Sequence, residues 1–403
     1  AVNECWISDR DRFSYEGVYS PERLLSPQVR ENGEWHSVDW QTAIEATANA
    51  LRELVDQQGA GALGALASPS STLEEMYLLA RIVRALGSDN IDTRLRRGDF
   101  RDGVEAAGYP GLQFPVANLE ALDAALVVGA FPRHEQPLIN HRLRKAAKAG
   151  GRITALNPRA FDWNIDLEVE QVVPADEMPV ALASVARAVA RQTGVEEPEG
   201  LSDWIGDAAP GDDAQAIAAA LCADGHGAVL LGGLTEAHPA GAELRYLAGL
   251  ITEMAHTAYG ELTTGSNTAG AWLAGAVPGR RADGAVTEGL DAQAMLEAPR
   301  RGYVLMGIEP EHDLVNPAAA SRALAGADTV IAIATHDSAA LREHADILLP
   351  MAALGETAGT LVNAEGRWQT FAGVGQPQGE ARPAWRLLRV LANVLELDGF
   401  DYQ

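Results

Sequence analysis

The chain has 403 residues, more than one hydrophobic core usually contains, so two or more α/β units are expected. Its formal net charge of −25 at pH 7 argues against nucleic acid and anionic membrane surfaces as partners, because such polyanions would be repelled. No run of about twenty residues lacks charges and turn formers, so the sequence predicts no transmembrane helix and no direct membrane contact.

The cysteines indicate a reducing compartment. Cys5 and Cys222 are the only two in the sequence and have no CxxC partners, so neither a disulfide framework nor a cysteine-built metal cluster is predicted. Ala1 is followed by a polar and aromatic segment without the apolar core of a secretion signal. The chain is therefore expected to begin inside a longer protein.

The first residues predict an irregular segment followed by a helix. Residues 1–38 contain scattered aromatic residues, charges and prolines, and we interpret them as an irregular N-terminal strap. Asn32 and Gly33 mark a hairpin turn within it. Asp39 is the expected N-cap of an amphipathic helix that ends at Gly59.

Beyond that helix, short apolar runs alternate with amphipathic stretches. Ser71 and Glu74 form a predicted capping box, and residues 124–157 have the pattern of a right-handed βαβ crossover. This alternation predicts doubly wound, mostly parallel sheets. The predicted strands are 63–67, 124–129, 152–156, 171–173, 228–231, 303–306, 329–333 and 347–349. The predicted helices are 73–86, 138–149, 178–192, 213–223, 241–256, 317–324, 338–344 and 384–395.

The residues that follow each predicted strand are the place to look for a site, because ligands bind at the carboxyl ends of such strands. Gly129 would let a phosphate or a ring approach the backbone. Arg133 and Arg159 could hold that group by bidentate contacts, and Asn157 follows the neighbouring strand. The alternative is that these are ordinary βα turns whose polar side chains cap the next helix.

Other kinds of catalytic site have no motif in the sequence. The histidines lack the H-E-x-x-H spacing and have no cysteine cluster beside them, so we expect surface or capping roles for them. A nucleophile elbow and a P-loop are also absent from the sequence, which leaves acyl and phosphoryl transfer without support.

Longer motifs resemble a known family. Residues 345–369, A-D-I-L-L-P-M-A-A-L-G-E-T-A-G-T-L-V-N-A-E-G-R-W-Q, resemble the closing signature of the molybdopterin oxidoreductase superfamily. Residues 123–159 are similar to its nucleotide-side βαβ unit, with N-P-R where D-P-R is usual. Residues 6–17, 90–100 and 265–278 resemble the G-subunit family of bacterial NADH-quinone oxidoreductases, the large subunits of the peripheral arm.

The resemblance implies an α/β fold with two doubly wound, mostly parallel Rossmann-like domains of the formate dehydrogenase and DMSO reductase type. The first domain is expected to be discontinuous, formed by residues 39–118 and 226–403. The second is expected to be nested within it, over residues 119–225.

The resemblance also implies a function. In the G-subunit family the iron-sulfur clusters belong to an N-terminal region, and the molybdoenzyme-like remainder usually holds no pterin. The expected role is a docking scaffold for other peripheral-arm subunits at the cytoplasmic face of the bacterial inner membrane, with no cofactor, metal or catalytic residue in this region. The candidates for a vestigial pocket are Gly129, Arg133, Asn157, Arg159, Asn267 and Arg367.

Two alternatives stay open. One is a molybdopterin-dependent oxidoreductase of a small substrate such as formate or nitrate, with a pocket lined by Arg159, Asn267 and Arg367. Cys5 stands alone near the place where such enzymes often carry a cysteine-rich motif, and a serine or aspartate ligand is an open possibility. The other is a regulatory sheet that binds a different nucleotide.

Overall fold

Three β-sheets organise the computed structural model, which describes residues 5–103 and 108–402. The strands in this part of the chain are β1 (Gln28–Glu31), β2 (Glu34–Ser37), β3 (Leu63–Ala67), β4 (Ile91–Asp92), β5 (Ala124–Val128), β6 (Arg152–Asn157), β7 (Val169–Val172), β8 (Gly227–Leu231), β9 (Ala258–Glu261), β10 (Gly302–Met306), β11 (Thr329–Ala334), β12 (Ile347–Pro350), β13 (Gly359–Val362) and β14 (Trp368–Phe371). The large sheet has the order β2-β1-β12-β11-β10-β3-β4, the small sheet β7-β6-β5-β8-β9, and β13 and β14 form a hairpin.

Helices cover the faces of the two larger sheets. In the described residues they are α1 (Asp9–Phe13), α2 (Trp40–Gln58), α3 (Leu73–Ala85), α4 (Pro132–Glu135), α5 (Pro137–Lys148), α6 (Met178–Thr193), α7 (Ser202–Ile205), α8 (Asp212–Leu221), α9 (Gly233–Glu236), α10 (Gly241–Ala255), α11 (Thr268–Leu273), α12 (Ala292–Glu297), α13 (Pro310–Asp313), α14 (Pro317–Ala325), α15 (Ala339–His344) and α16 (Ala384–Val394). None of these helices combines the length and the apolar composition that crossing a membrane requires.

The inner part of the large sheet is covered on both sides, which explains why β3, β10, β11 and β12 are continuous apolar runs. Successive residues of a strand point to opposite faces, so Ile331 and Ile333 of β11 pack with α2, α3 and α16. Ala332 of the same strand packs on the other face with α12, α14 and α15. The central strands β3, β10 and β11 are parallel.

The small sheet is also covered by helices on both faces. Leu126 and Val128 of β5 face a core made with α6, α8 and α10, and Val127 faces α5 on the other side. Strand β5 lies at the centre, parallel to β6 and β8. The predicted α/β class with mostly parallel sheets is therefore confirmed.

Two local predictions in the first part of the chain are confirmed and one is displaced. Asp39 caps α2 by accepting a hydrogen bond from Thr42 N, and β1 and β2 form the predicted hairpin. The capping box, however, is formed by Thr72 and Glu75 rather than by Ser71 and Glu74. Both pairs satisfy the same spacing, and helix α3 begins one residue later than the first pair requires.

The strand pairing differs from the predicted boundary at residue 225. Strand β8 pairs with β5, aligning Val229 with Leu126, and β9 pairs with β8. The small sheet therefore continues to residue 261, within the part assigned to the first domain. A short apolar strand does not indicate which sheet it joins, since that depends on contacts with residues distant in sequence.

The N-terminal strap is more ordered than predicted. Residues 1–4 lie outside the described residues, but α1 and the β1–β2 hairpin are both regular elements of the segment. Arg23 anchors it through a buried ion pair with Glu356 at 2.7 Å. The backbone N–H of Leu24 also donates to Thr335 O. The strap is thus fastened to the carboxyl end of β11.

Candidate functional site

A cleft lies where the carboxyl ends of strands from the large sheet meet the carboxyl ends of strands from the small sheet. It contains one cavity of about 120 Å³ and a second of about 30 Å³. Both are lined by the segment that follows β4 and by the turns that follow β8 and β9. The residues shared by the two cavities are Arg94, Glu236 and Thr268. This position is where a ligand is expected in a doubly wound fold.

Most arginines of the cleft are bound by the chain's own carboxylates. Arg94 makes a two-pronged contact with Asp92, through Nε at 2.9 Å and Nη2 at 3.0 Å. Asp102 is paired with both Arg97 and Arg245. Three of the four guanidinium groups that line the cavities therefore already have anionic partners. The fourth, the exposed Arg96, donates to the His312 backbone carbonyl.

The segment that follows β4 on one side of the cleft is also bound to helix α10 on the other side. Asp99 accepts a hydrogen bond from Ala242 N at the start of α10, and Arg245 of that helix donates to Asp99 O. Burial alone would raise the pKa of Asp99, but hydrogen bonds from Arg101 and the Ala242 backbone lower it to about 2. The carboxylate thus stays charged and keeps the segment after β4 fixed on α10.

Two further carboxyl groups are partly buried in the cleft. Burial raises the pKa of Glu236, partly offset by the hydroxyl of Thr264. Burial also raises the pKa of Glu261, against the opposing effect of Arg245 and Arg97. The cleft therefore contains carboxyl groups that favour the protonated form more than exposed ones do.

Replacing Glu261 by glutamine is expected to reduce the loss of stability as pH rises. A raised pKa in the folded state means that the unfolded chain ionises first, near 4.5, and stability falls from there until the folded carboxyl ionises as well. Urea unfolding from about pH 4 to 8 measures this slope. The exposed Glu253 changed to glutamine is the control, and equal slopes in the two variants would contradict the assignment.

The turn at Gly129 is closed by its neighbour. Gly129 has φ +59°, and a β-carbon there would lie 2.5 Å from Thr235 Cγ2. Its carbonyl accepts from Leu234 N at 2.9 Å. Asn157 is fully buried beside it, and its Oδ1 accepts from Ala130 N. The glycine here permits a close approach of two protein backbones and leaves no room for a ligand at that point.

Arg133 and Arg159 lie on the outside of the same sheet edge. Arg133 donates to the carboxylate and the carbonyl of Asp162, both at 2.6 Å. Arg159 is exposed and lies 5.4 Å from the centre of the Phe161 ring. That ring stacks on Phe131 at 4.5 Å. Both guanidinium groups therefore belong to a surface cluster beside the turn.

Asn267 and Arg367 are placed differently from each other. Asn267 is fully buried; its amide nitrogen donates to Ser71 O and its amide oxygen accepts from Val362 N, each at 2.7 Å. Arg367 is exposed near the hairpin turn and pairs with Glu365 at 2.8 Å. Asn267 is thus a crosslink between the loop before α3 and strand β13.

The six candidate residues do not surround one cavity. Gly129, Arg133, Asn157 and Arg159 share the edge of the small sheet, whereas Asn267 and Arg367 are associated with the hairpin. None of them lines the two cleft cavities. Sequence reasoning missed the groups that do line them, above all Arg94, Arg97, Arg245, Glu236 and Glu261. The dense arginine and aspartate content of residues 92–102 was the available signal.

The described residues offer little for a metal ion. Among them, no group of three or more histidine, cysteine, aspartate or glutamate side chains is arranged to hold one. Cys5 is exposed, and Cys222 is partly buried at the end of α8. Burial raises the pKa of the Cys222 thiol, which disfavours the thiolate that metals bind.

One protein family matches most of the length of this chain. The family model described as molybdopterin oxidoreductase matches residues 23–394. The G subunit of NADH-quinone oxidoreductase from Mycobacterium bovis is 28% identical over 395 residues, covering 92% of this chain and 46% of that protein. The Rickettsia bellii protein of the same name is 29% identical over 183 residues, 44% of this chain and 26% of that protein. The chain thus spans less than half the length of these relatives.

Other similarities extend beyond these two proteins. A putative formate dehydrogenase of Staphylococcus aureus is 29% identical over 151 residues, 36% of this chain and 15% of that protein. Among solved structures, acetylene hydratase from Pelobacter acetylenicus superposes with a TM-score of 0.73 at 15% identity, covering 98% of this chain and 64% of that one. At that identity the structural likeness establishes the fold alone.

Proposed function

Because this chain belongs to the molybdopterin oxidoreductase family, we propose that it is part of the G subunit of a NADH-quinone oxidoreductase and carries no redox centre itself. In this proposal it is a scaffold of the peripheral arm at the cytoplasmic face of a bacterial inner membrane. The relatives that bear the G-subunit name support the assignment. The observation that carries the scaffold role is the cleft filled by the chain's own ion pairs.

The cleft does not fit the cofactor that gives the family its name. Sites for drug-sized ligands have volumes of roughly 300–1,000 Å³, whereas the cleft cavities measure about 120 and 30 Å³. Three of the four arginines that line them are paired with Asp92 or Asp102. Neither cysteine lines these cavities. We therefore derive no chemical step through a pterin.

The strap supports a docking role. Trp6, Phe13, Tyr15 and Tyr19 are all more than half exposed, although α1 and the following turn are ordered. Aromatic residues are enriched at protein interfaces and are costly to leave in water as a group. We propose that this surface packs against the cluster-bearing region that the resemblance implies for the whole subunit.

Purification of the assembled enzyme tests the proposal. A tag on the protein at its chromosomal locus is expected to recover the other peripheral-arm subunits in equal amounts, together with NADH-quinone oxidoreductase activity. Recovery of the protein without those subunits would contradict the proposal. Recovery of formate or nitrate oxidoreductase activity would instead support the molybdopterin-dependent alternative, which the formate dehydrogenase relative favours.

A further inference from the structure

A groove of about 480 Å³ lies between the β13–β14 hairpin and helices α3 and α16. It shares no lining residue with the two cleft cavities. Its aromatic lining residues are Tyr77, Phe371, Trp385 and Tyr402, and Arg389 is its basic group. The family likeness and the proposed scaffold role leave this groove without an assignment.

The aromatic wall is exposed but held in place. Tyr77 and Tyr402 are 37% and 41% exposed. Arg81 lies 5.8 Å from the centre of the Tyr77 ring and also donates to the Tyr402 hydroxyl. Rigid aromatic side chains lose little conformational entropy when a partner covers them, which makes them effective binding anchors.

Arg389 provides a charge without a partner. The residue is partly buried, and in the described part of the chain its guanidinium has no hydrogen bond or ion pair. Helix α16 has no acidic residue. The nearby Glu74 carboxylate is occupied by the backbone and hydroxyl of Thr360, at 2.9 and 2.7 Å. An unpaired guanidinium in an aromatic groove is best satisfied by a carboxylate from outside.

The hairpin beside the groove has an open edge. The backbone N–H groups of Thr360 and Val362 bind side chains of Glu74 and Asn267, so they point away from β14. Their cross-strand partners Thr370 and Trp368 must then point their own N–H and C=O groups away from β13. No hydrogen bond in the described residues engages them. An extended segment can add to such an edge.

We infer that this groove docks an extended acidic segment of another protein in the same assembly. The segment pairs with the outer edge of β14, inserts an apolar side chain between Tyr77 and Trp385, and sets a carboxylate on Arg389. Distant charges are screened over about 8 Å at physiological salt, so the net charge of −25 does not by itself prevent a carboxylate from contacting Arg389. The existence of the assembly rests on the proposed function.

A photo-crosslinking amino acid at position 77 tests the inference in the purified assembly. The probe replaces Tyr77 in the first variant; in the control it replaces Tyr246, a tyrosine of α10 that is 51% exposed and therefore more accessible than Tyr77. We expect the probe at position 77 to label one extended segment with an aspartate or glutamate beside the labelled residue. The probe at position 246 is expected not to label that segment.

Charge reversal then identifies the ionic contact. Arg389→Glu is expected to reduce the yield of this adduct more than tenfold, and reversing the charge of the partner's acidic residue should restore it. Arg322→Glu, the same change at an exposed position of α14, is expected to leave the yield unaltered. Thermal melting of both variants separates loss of docking from loss of folding.

Each contrary outcome has a distinct meaning. If the untagged subunits do not co-purify with the wild-type chain, the proposed function fails and the docking inference fails with it. If they do co-purify but position 77 yields no adduct, the inference alone is overturned. An adduct with a second copy of this chain, or one that persists in Arg389→Glu, also overturns it.

Discussion

Replacing Glu356 by alanine is expected to lower the free energy of unfolding by about 3–5 kcal/mol. The ion pair of Glu356 with Arg23 is almost completely buried, with side chains 2% and 1% exposed. Loss of the carboxylate leaves the guanidinium charged in a site that water does not reach, and the Ala353 N–H also loses its partner. Urea unfolding of the variant and the wild type measures the difference.

The matched control breaks an ion pair at the surface. Asp328 pairs with Arg301, and both side chains are more than two-fifths exposed, so Asp328→Ala is expected to cost about 0–1 kcal/mol. Glu356→Gln keeps the size of the side chain while removing its charge, and remains measurable if the alanine variant fails to fold. Equal losses for the buried and exposed pairs would contradict the role assigned to Glu356.

Replacing Asn267 by alanine is expected to cost about 3 kcal/mol of stability. The change leaves the buried Ser71 carbonyl and the Val362 N–H without the partners they have at 2.7 Å. The loop before α3 and strand β13 would also lose the crosslink between them. A residue that lined an open ligand pocket would have a much smaller effect, because water would replace the lost hydrogen bonds.

The exposed Asn118 provides the comparison for this variant. Asn118→Ala is expected to change the free energy of unfolding by less than about 0.5 kcal/mol. Thermal and urea unfolding of the two variants, measured under the same conditions, give both values. A small effect at Asn267 would mean that its hydrogen bonds are not the crosslink that the structure indicates.

Elements with long apolar stretches could be predicted from the sequence. Strands β3, β5 and β10 are buried on both faces, so their residue types alone distinguish them from loops. Strand β9 was not predicted, because it has only four residues and includes Gly260 and Glu261. Such a strand forms because its neighbour β8 offers backbone partners, which is information that local sequence lacks.

The sequence predicted the candidate site only in part, for the same reason. The turns at Gly129 and Asn157 were predicted correctly as the ends of parallel strands. That Thr235 closes the Gly129 turn depends on two segments separated by more than a hundred residues. The pairing of Asp102 with Arg245 is equally remote in sequence, and no local pattern reveals it.

Metal and pterin analysis of the purified protein tests the central claim most directly. Protein from cells supplied with molybdenum, tungsten and iron is measured by mass spectrometry for these metals, and for pterin fluorescence after denaturation and oxidation. Because the cleft is filled by the chain's own ion pairs, we expect only trace amounts of molybdenum, tungsten and pterin relative to protein. Stoichiometric molybdenum or tungsten together with a pterin would contradict the account.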